Sequence, residues 1–442
     1  MQRTAPEDPA RAGAHRPAKD GTGADPVPVA AALGPAAERG RVRHGPPAPD
    51  PGLPVLPELA AVLAAAAGRT VCEPPGGGTA LRAAAVGHWR RRGIGVDTDG
   101  VVAAPGGPPL LFALMAAAGG DVLLPRPCPA WWAAQVRLLA GVRTSFHVPT
   151  PAECGGVPDP YALLETVTRI RAEGGRPRLL LLSVPDDPTA TLAPPETVRA
   201  VCEVALAEGL TVVSDETWRD TVHRPRETVF FSPAEMFPDH VVVLSDLAGA
   251  LTPTSWPVAV ARVPSTAAGT ALRARALDVL AALGATVPAP VAEAAAYALH
   301  DPEPVVERAA AAAAMHARVQ HAVHRAVLDA GALARPPVAG RHLYADLGPL
   351  REGLAEHGVT DSMELEEYLT ARLDTPVPGG HRFGDSLGAL RVRLSTAPLL
   401  GATPAQRTES LTARDPLELP HLEQALNHLT AALAELGRAR RP

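Results

Sequence analysis

The sequence is almost without lysine. Of its 41 lysine and arginine residues, only Lys19 is a lysine, where ordinary usage in a chain this long gives about two dozen. Past residue 19 no side-chain amine remains, and arginine cannot act as one because its guanidinium stays protonated. Cysteine is scarce as well. Cys72, Cys128, Cys154 and Cys202 form no Cys-x-x-Cys pair and no Cys/His spacing. That excludes a zinc ribbon or disulfide framework, reads as reduced thiols, and leaves no expected metal site. No run of about 18 apolar residues occurs, so no membrane span is expected. The first twenty residues, MQRTAPEDPARAGAHRPAKD, lack the apolar core of a signal peptide, and a cytoplasmic location is expected. A net charge of −6 carries no basic excess, which argues against a nucleic-acid partner.

What is present is the composition of a globular protein. The 442 residues are 46% hydrophobic and 20% charged, enough for a large core and more than one domain. Abundant Ala, Arg, Pro and Gly suggest a high-GC bacterial genome. Residues 1–50 are rich in Pro, Ala, Gly and charge without periodicity, and read as a disordered tail. Residues 51–302 read as a large domain, with 51–70 free to pack elsewhere, and residues 303–442 as a smaller α+β domain.

The stretch Arg178–Trp218 organises the large domain. Apolar runs at Leu179–Val184 and Leu210–Val213 flank a helical pattern at Pro195–Glu208, and each run ends in polar residues, PDDPT and SDET. Short apolar runs separated by a helix indicate parallel strands, whose carboxyl ends form a ligand-binding rim. Asp187 and Asp215 are therefore expected side by side on that rim. Further strands are expected at Val101–Ala104, Asp121–Leu124, Val142–Val148, Val241–Ser245 and Pro257–Val263, the last antiparallel at the sheet edge. Thr79 is expected to cap the helix Ala80–Arg92, and a glycine pair, Gly106–Gly107, precedes another helix. A second, smaller set of elements includes strands at His342–Leu347 and Leu390–Ser395.

In order and spacing, these pieces resemble the class I/II aminotransferases, the fold type I pyridoxal-phosphate enzymes. The motifs that carry the resemblance are TALRAAAVGHWRRRGIGVDTDGVVAAPGG, GGDVLLPRPCPAWW, VPDDPTAT in place of PNNPTG, VVSDETW in place of SDExY, and RVRLSTA. The resemblance covers roughly residues 55–440. It implies an α/β fold: a three-layer αβα domain with a mostly parallel seven-stranded sheet, plus a smaller α+β domain. It also implies a dimer, pyridoxal phosphate as cofactor, and a small amino or keto acid as substrate.

By the same resemblance, Asp215 is the carboxylate facing the pyridine nitrogen and Trp131 the aromatic stacked on the ring. Gly106 and Gly107 open the phosphate cup. Asp187 and Trp218 stand where an asparagine and a tyrosine contact the cofactor. Arg393, or Arg391 two residues away on the same strand face, is the clamp for the substrate carboxylate. The Schiff-base lysine of such enzymes falls in LSDLAGALTPTSWP, and its position is Gly249. Asp246, three residues earlier, puts a negative charge where the phosphate belongs, and Pro108 and Pro109 remove two N–H donors from the cup.

Three readings follow. The chain is a catalytically degenerate aminotransferase homologue with no catalytic residue at the lysine position. Or it is a non-catalytic subunit, in a homodimer or paired with an active paralogue. Or it is an enzyme that works without the lysine, through Asp187, Asp215, His223 and an arginine, or on an amine already carrying the cofactor.

Overall fold

The computed structural model describes residues 50–139 and 144–438, all within one compact unit spanning 43–442. The expected tail, apart from Asp50, lies outside the described residues, as do residues 142–143 at the start of the expected third strand.

Seven strands form the main sheet: β1 (Val101–Ala104), β2 (Asp121–Arg126), β3 (Ser145–Pro149), β4 (Pro177–Ser183), β5 (Thr211–Asp215), β6 (Val241–Asp246) and β7 (Ala259–Arg262). Their spatial order is β1-β7-β6-β5-β4-β2-β3. Neighbours β3, β2, β4, β5 and β6 run parallel, while β7 is antiparallel to both β6 and β1. The expectation for β7 was half right. It is antiparallel, but it lies inside the sheet and β1 forms the edge; its all-buried Ala-Val-Ala-Arg run fits an interior strand.

The strands read as unbroken apolar runs because both faces are covered. Leu180 and Leu182 join one core with Val86, Trp89 and Ile170, whereas Leu179 and Leu181 join a second core with Leu114, Met115 and Trp132. Val241 and Val243 divide from Val242 and Leu244 in the same way. This period-two split makes the layered helix–sheet–helix arrangement. Burial of a Val or Leu side chain contributes about 1.5–3 kcal/mol, so the alternation fixes the register strongly.

A second sheet, antiparallel throughout, has the order β10-β9-β8 from β8 (Leu333–Ala334), β9 (His342–Asp346) and β10 (Arg391–Ser395). Its core includes Leu343, Leu365, Val392 and Leu433. The long helix Glu303–Asp329 leads into it. At the other end of the chain, the helix expected after Thr79 begins at Thr79 itself, with Gly78 before it and no side-chain cap. Gly78 N–H is instead held by the Glu73 carboxylate at 2.7 Å. Among the described residues no helix is long and apolar enough to cross a membrane.

Candidate functional site

Parallel pairing aligns the ends of three strands. Ser183 of β4 pairs with Asp215 of β5, and Asp215 with Leu244 of β6. The loop after β4 therefore brings Asp187, the end of β5 brings Asp215, and the end of β6 brings Asp246 to one rim. The start of the helix Gly107–Ala118 meets the same rim from β1.

Asp215 is buried, and its Oδ1 accepts from Thr217 N at 3.0 Å and Thr217 Oγ1 at 2.5 Å. Burial pushes its carboxyl up to about 7; the Thr217 hydrogen bonds resist this, and the charges of Asp246 and Asp187 add to it. Thr217 Oγ1 also accepts from Asp246 N at 3.0 Å, which ties β5 to β6 at the rim.

Asp246 fills the start of the helix. Its Oδ2 accepts from Gly107 N at 2.7 Å and its Oδ1 from Ala248 N at 3.0 Å. Gly106 has φ of +99°, which only glycine adopts without strain, and this turn aims the Gly107 N–H at the carboxylate. A helix N-terminus attracts an anion, and here the anion is a side chain of the chain itself. Burial raises the Asp246 carboxyl, against the two amide hydrogen bonds and the Arg341 charge.

Asp187 turns to Arg393. Its Oδ1 accepts from Arg393 Nη1 at 2.9 Å, with 12% and 13% of the two side chains exposed. Arg393 also lies over the Phe383 ring, 4.9 Å from its centroid. The expected neighbour pair Asp187–Asp215 is thus split between separate partners. Arg391 binds Asp346 through Nε at 3.0 Å and Asp385 through Nη1 at 3.2 Å. Asp385 also accepts from Tyr344 at 2.8 Å. Both candidate clamps are therefore engaged by carboxylates of the chain.

Gly249 closes a short turn, Leu247–Gly249, after β6. A Cβ added there would lie 2.4 Å from the Thr217 carbonyl oxygen and 2.8 Å from its Cγ2. The first of these is a backbone atom, so side-chain adjustment cannot relieve it. Trp131 is half-buried and packs edge-on to Trp132, with centroids 6.2 Å apart. Trp218 is edge-on to His342, and Arg341 lies 5.1 Å from its ring centroid. His223, read from the sequence as a surface residue or an acid–base candidate, is half-buried and bound through Nε2 to Gly340 O at 3.2 Å.

The sequence reading missed two groups. Asp186 is buried with Oδ1 unpartnered, and burial raises its carboxyl well above the usual range. Asp50 accepts from Ser395 Oγ at 2.8 Å and sits 3.1 Å from His342 Nε2 and 3.4 Å from Arg341 Nε. Although burial alone would raise the Asp50 carboxyl, these partners hold it well below the usual range.

Comparison with known proteins agrees with the architecture. The model of "Aminotransferase class I and II" matches residues 52–374. A probable aspartate/prephenate aminotransferase of Thermus aquaticus is 31% identical over 220 residues, 49% of this chain and 55% of that protein. An aspartate aminotransferase of Geobacillus stearothermophilus is 25% identical over 212 residues, 46% of this chain and 51% of that protein. The chain spans about half the length of the curated relatives it matches. Among solved structures, the aspartate aminotransferase of Thermus thermophilus with maleate superposes with a TM-score of 0.68 at 24% identity, covering 88% of this chain and 90% of that one. The N-succinyldiaminopimelate aminotransferase of Mycobacterium tuberculosis gives 0.69 at 23% identity, covering 90% and 94%. At such identities the structural likeness is one of fold. The family match extends through the main sheet and into the second, and on it the chain belongs to the class I and II aminotransferases.

Proposed function

We propose that this chain is an aminotransferase-family scaffold that forms no Schiff base of its own with pyridoxal phosphate and does not run the family's reaction. The observation that carries this is Gly249. The position where the resemblance puts the lysine holds a glycine pressed against a backbone carbonyl, 2.4 Å from where a Cβ would be. No lysine follows residue 19.

The rest of the rim supports the reading. The cofactor brings a phosphate, and the substrate a carboxylate. The helix start that would hold the first is taken by Asp246, and the arginine that would hold the second by Asp187. A phosphate dianion placed beside Asp246 would add like charge in a poorly solvated site, a cost of several kcal/mol at an effective dielectric of about 20. The residues present therefore do not fit pyridoxal phosphate. On this reading the chain works as a subunit, with itself or with an active family member, since losing the site leaves the fold intact.

The test is spectroscopic. Titrating the purified full chain with pyridoxal phosphate should give only the free cofactor's spectrum, and added aspartate should cause no exchange of amino groups. A saturable visible band that shifts on adding an amino acid would overturn the proposal. Co-expression with an active aminotransferase tests the subunit role. Failure to co-elute on sizing, together with the absence of any self-dimer, would remove it.

A further inference from the structure

The segment Asp50–Leu56 has neither helix nor strand. From Pro51 onward it walls a cleft opposite the helix Glu303–Asp329, and His316 of that helix lines the same cleft. We infer that Asp50–Leu56 is an acid-released latch: it lies against the body of the molecule at neutral pH and detaches when His316 takes up a proton. The device responds to pH and needs no ligand in the rim.

The latch is held at few points. The Asp50 carboxylate accepts from Ser395 Oγ at 2.8 Å and His342 Nε2 at 3.1 Å, and pairs with Arg341 Nε at 3.4 Å. Arg308 donates to Pro54 O. Leu53 packs against the small core of Met315, Val319, Leu400 and Leu422, and Leu56 against the main core. A segment with so few buried contacts opens at far lower cost than the whole fold. Its opening brings water to the cleft wall.

His316 is placed to sense the proton. Thr396 Oγ1 donates to Arg341 O at 3.1 Å, so it accepts from His316 Nδ1 at 2.8 Å. The neutral ring therefore carries its proton on Nδ1, and a second would go to Nε2. The described residues lining the cleft include Arg308 and Arg341 and no aspartate or glutamate. A charged His316 would thus be a third cation in a closed wall. The carboxylate that faces it, Asp50, already serves Arg341, His342 and Ser395. An ion left without such a partner is costly until water reaches it.

The surrounding charges agree. Burial, then Arg341, His223 and His342, push His316 down to about 3, and only Asp50 opposes them. His342 is lowered by burial and Arg393, against Asp50 and Asp187, so it adds to the effect. His223 is lowered by burial and Arg224, against the Gly340 and Pro337 carbonyls and Gln320, but its bond to Gly340 O does not involve the latch. Asp50 is held well below the usual carboxylate range and keeps its charge throughout. Because His316 binds a proton less readily in the closed state, the closed state is favoured above about 6.5 and loses ground as pH falls. Between pH 7.5 and 5 this group alone moves the equilibrium about 30-fold toward the detached form.

A nitroxide on Val55→Cys in a Cys72→Ser background of the full chain tests this, since Val55 is 40% exposed and can carry a label without repacking. The ratio of mobile to immobile components in its EPR spectrum should rise about 30-fold from pH 7.5 to 5, with far-UV circular dichroism unchanged. His316→Asn keeps a donor for Thr396 but takes up no proton, and should reduce the rise to threefold or less. His321→Asn, at an exposed site on the same helix, should leave it intact. Asp50→Asn should make the label mobile already at pH 7.5. No rise in the parent, the same rise in His316→Asn, its loss in His321→Asn, or a parallel loss of circular dichroism would each overturn the inference. Should His316→Asn fail to fold, Asp50→Asn decides, and an immobile label there at pH 7.5 would overturn it.

Discussion

Asp187 and Arg393 give the rim its sharpest quantitative test. The pair is 2.9 Å apart, and its side chains are 12% and 13% exposed. Its gross attraction is about 6 kcal/mol at an effective dielectric of about 20. Much of that offsets desolvation, so the pair as a whole adds little, but removing one partner strands the other charge at a cost of about 3–5 kcal/mol. Arg393→Met should therefore be strongly destabilising in the presence of Asp187 and much less so in Asp187→Asn. The double-mutant cycle should close with a coupling of at least about 2 kcal/mol. The assay is urea unfolding read by tryptophan emission, with equal slopes required across the four proteins so that the midpoints are comparable. If the two changes add to within about 0.5 kcal/mol, Asp187 does not hold Arg393, and the view that the chain's own carboxylate occupies the clamp fails.

Gly249→Ala should destabilise by about 1–3 kcal/mol through overpacking against Thr217, opposite in sign to the gain expected at an open helical glycine. Thermal melts will show it, and Gly249→Lys should be worse still. Asp246→Ser empties the helix start, so inorganic phosphate should raise the melting temperature of this variant and not of the parent. A phosphate response of equal size in both would contradict Asp246 as the occupant. Asp215 has a folded value of about 7 against an ordinary 3.8. Between those values the folded state keeps a proton that the unfolded state releases, so this group makes stability fall as pH rises from about 4 to 7. His316, lowered to about 3, acts in the other direction, so the readout is the difference from Asp215→Asn. That variant's advantage should grow with pH across the window, to at most about 4 kcal/mol, and a constant difference would refute the assignment.

Much of the fold could be read directly from local pattern. Runs such as Leu179–Leu182 and Val241–Leu244 signal strands buried on both faces, and the helices between them force parallel pairing. The place of β7 was not legible, because an apolar run of four says nothing about which neighbours flank it. The rim was half legible. Motif order points to Asp215, Asp187, Asp246 and Gly249, but not to their partners. Asp187 and Arg393 are 206 residues apart, and no local pattern encodes such a pair. Asp246 looked like a charge in the wrong place. Only the fold shows that it caps the helix from Gly107. Arg341 and Asp50 carry no motif, and their meeting depends on how the segment after residue 50 lies against β9 and β10.

The central claim is that no amine of this chain holds pyridoxal phosphate as a Schiff base. Lys19 is the one lysine that could. The direct measurement is borohydride reduction of the full chain with excess pyridoxal phosphate, followed by intact mass and peptide mapping. The account predicts no stoichiometric adduct on Lys19, and the same mass profile for Lys19→Arg. One reduced cofactor per chain on Lys19, lost in Lys19→Arg, would contradict it.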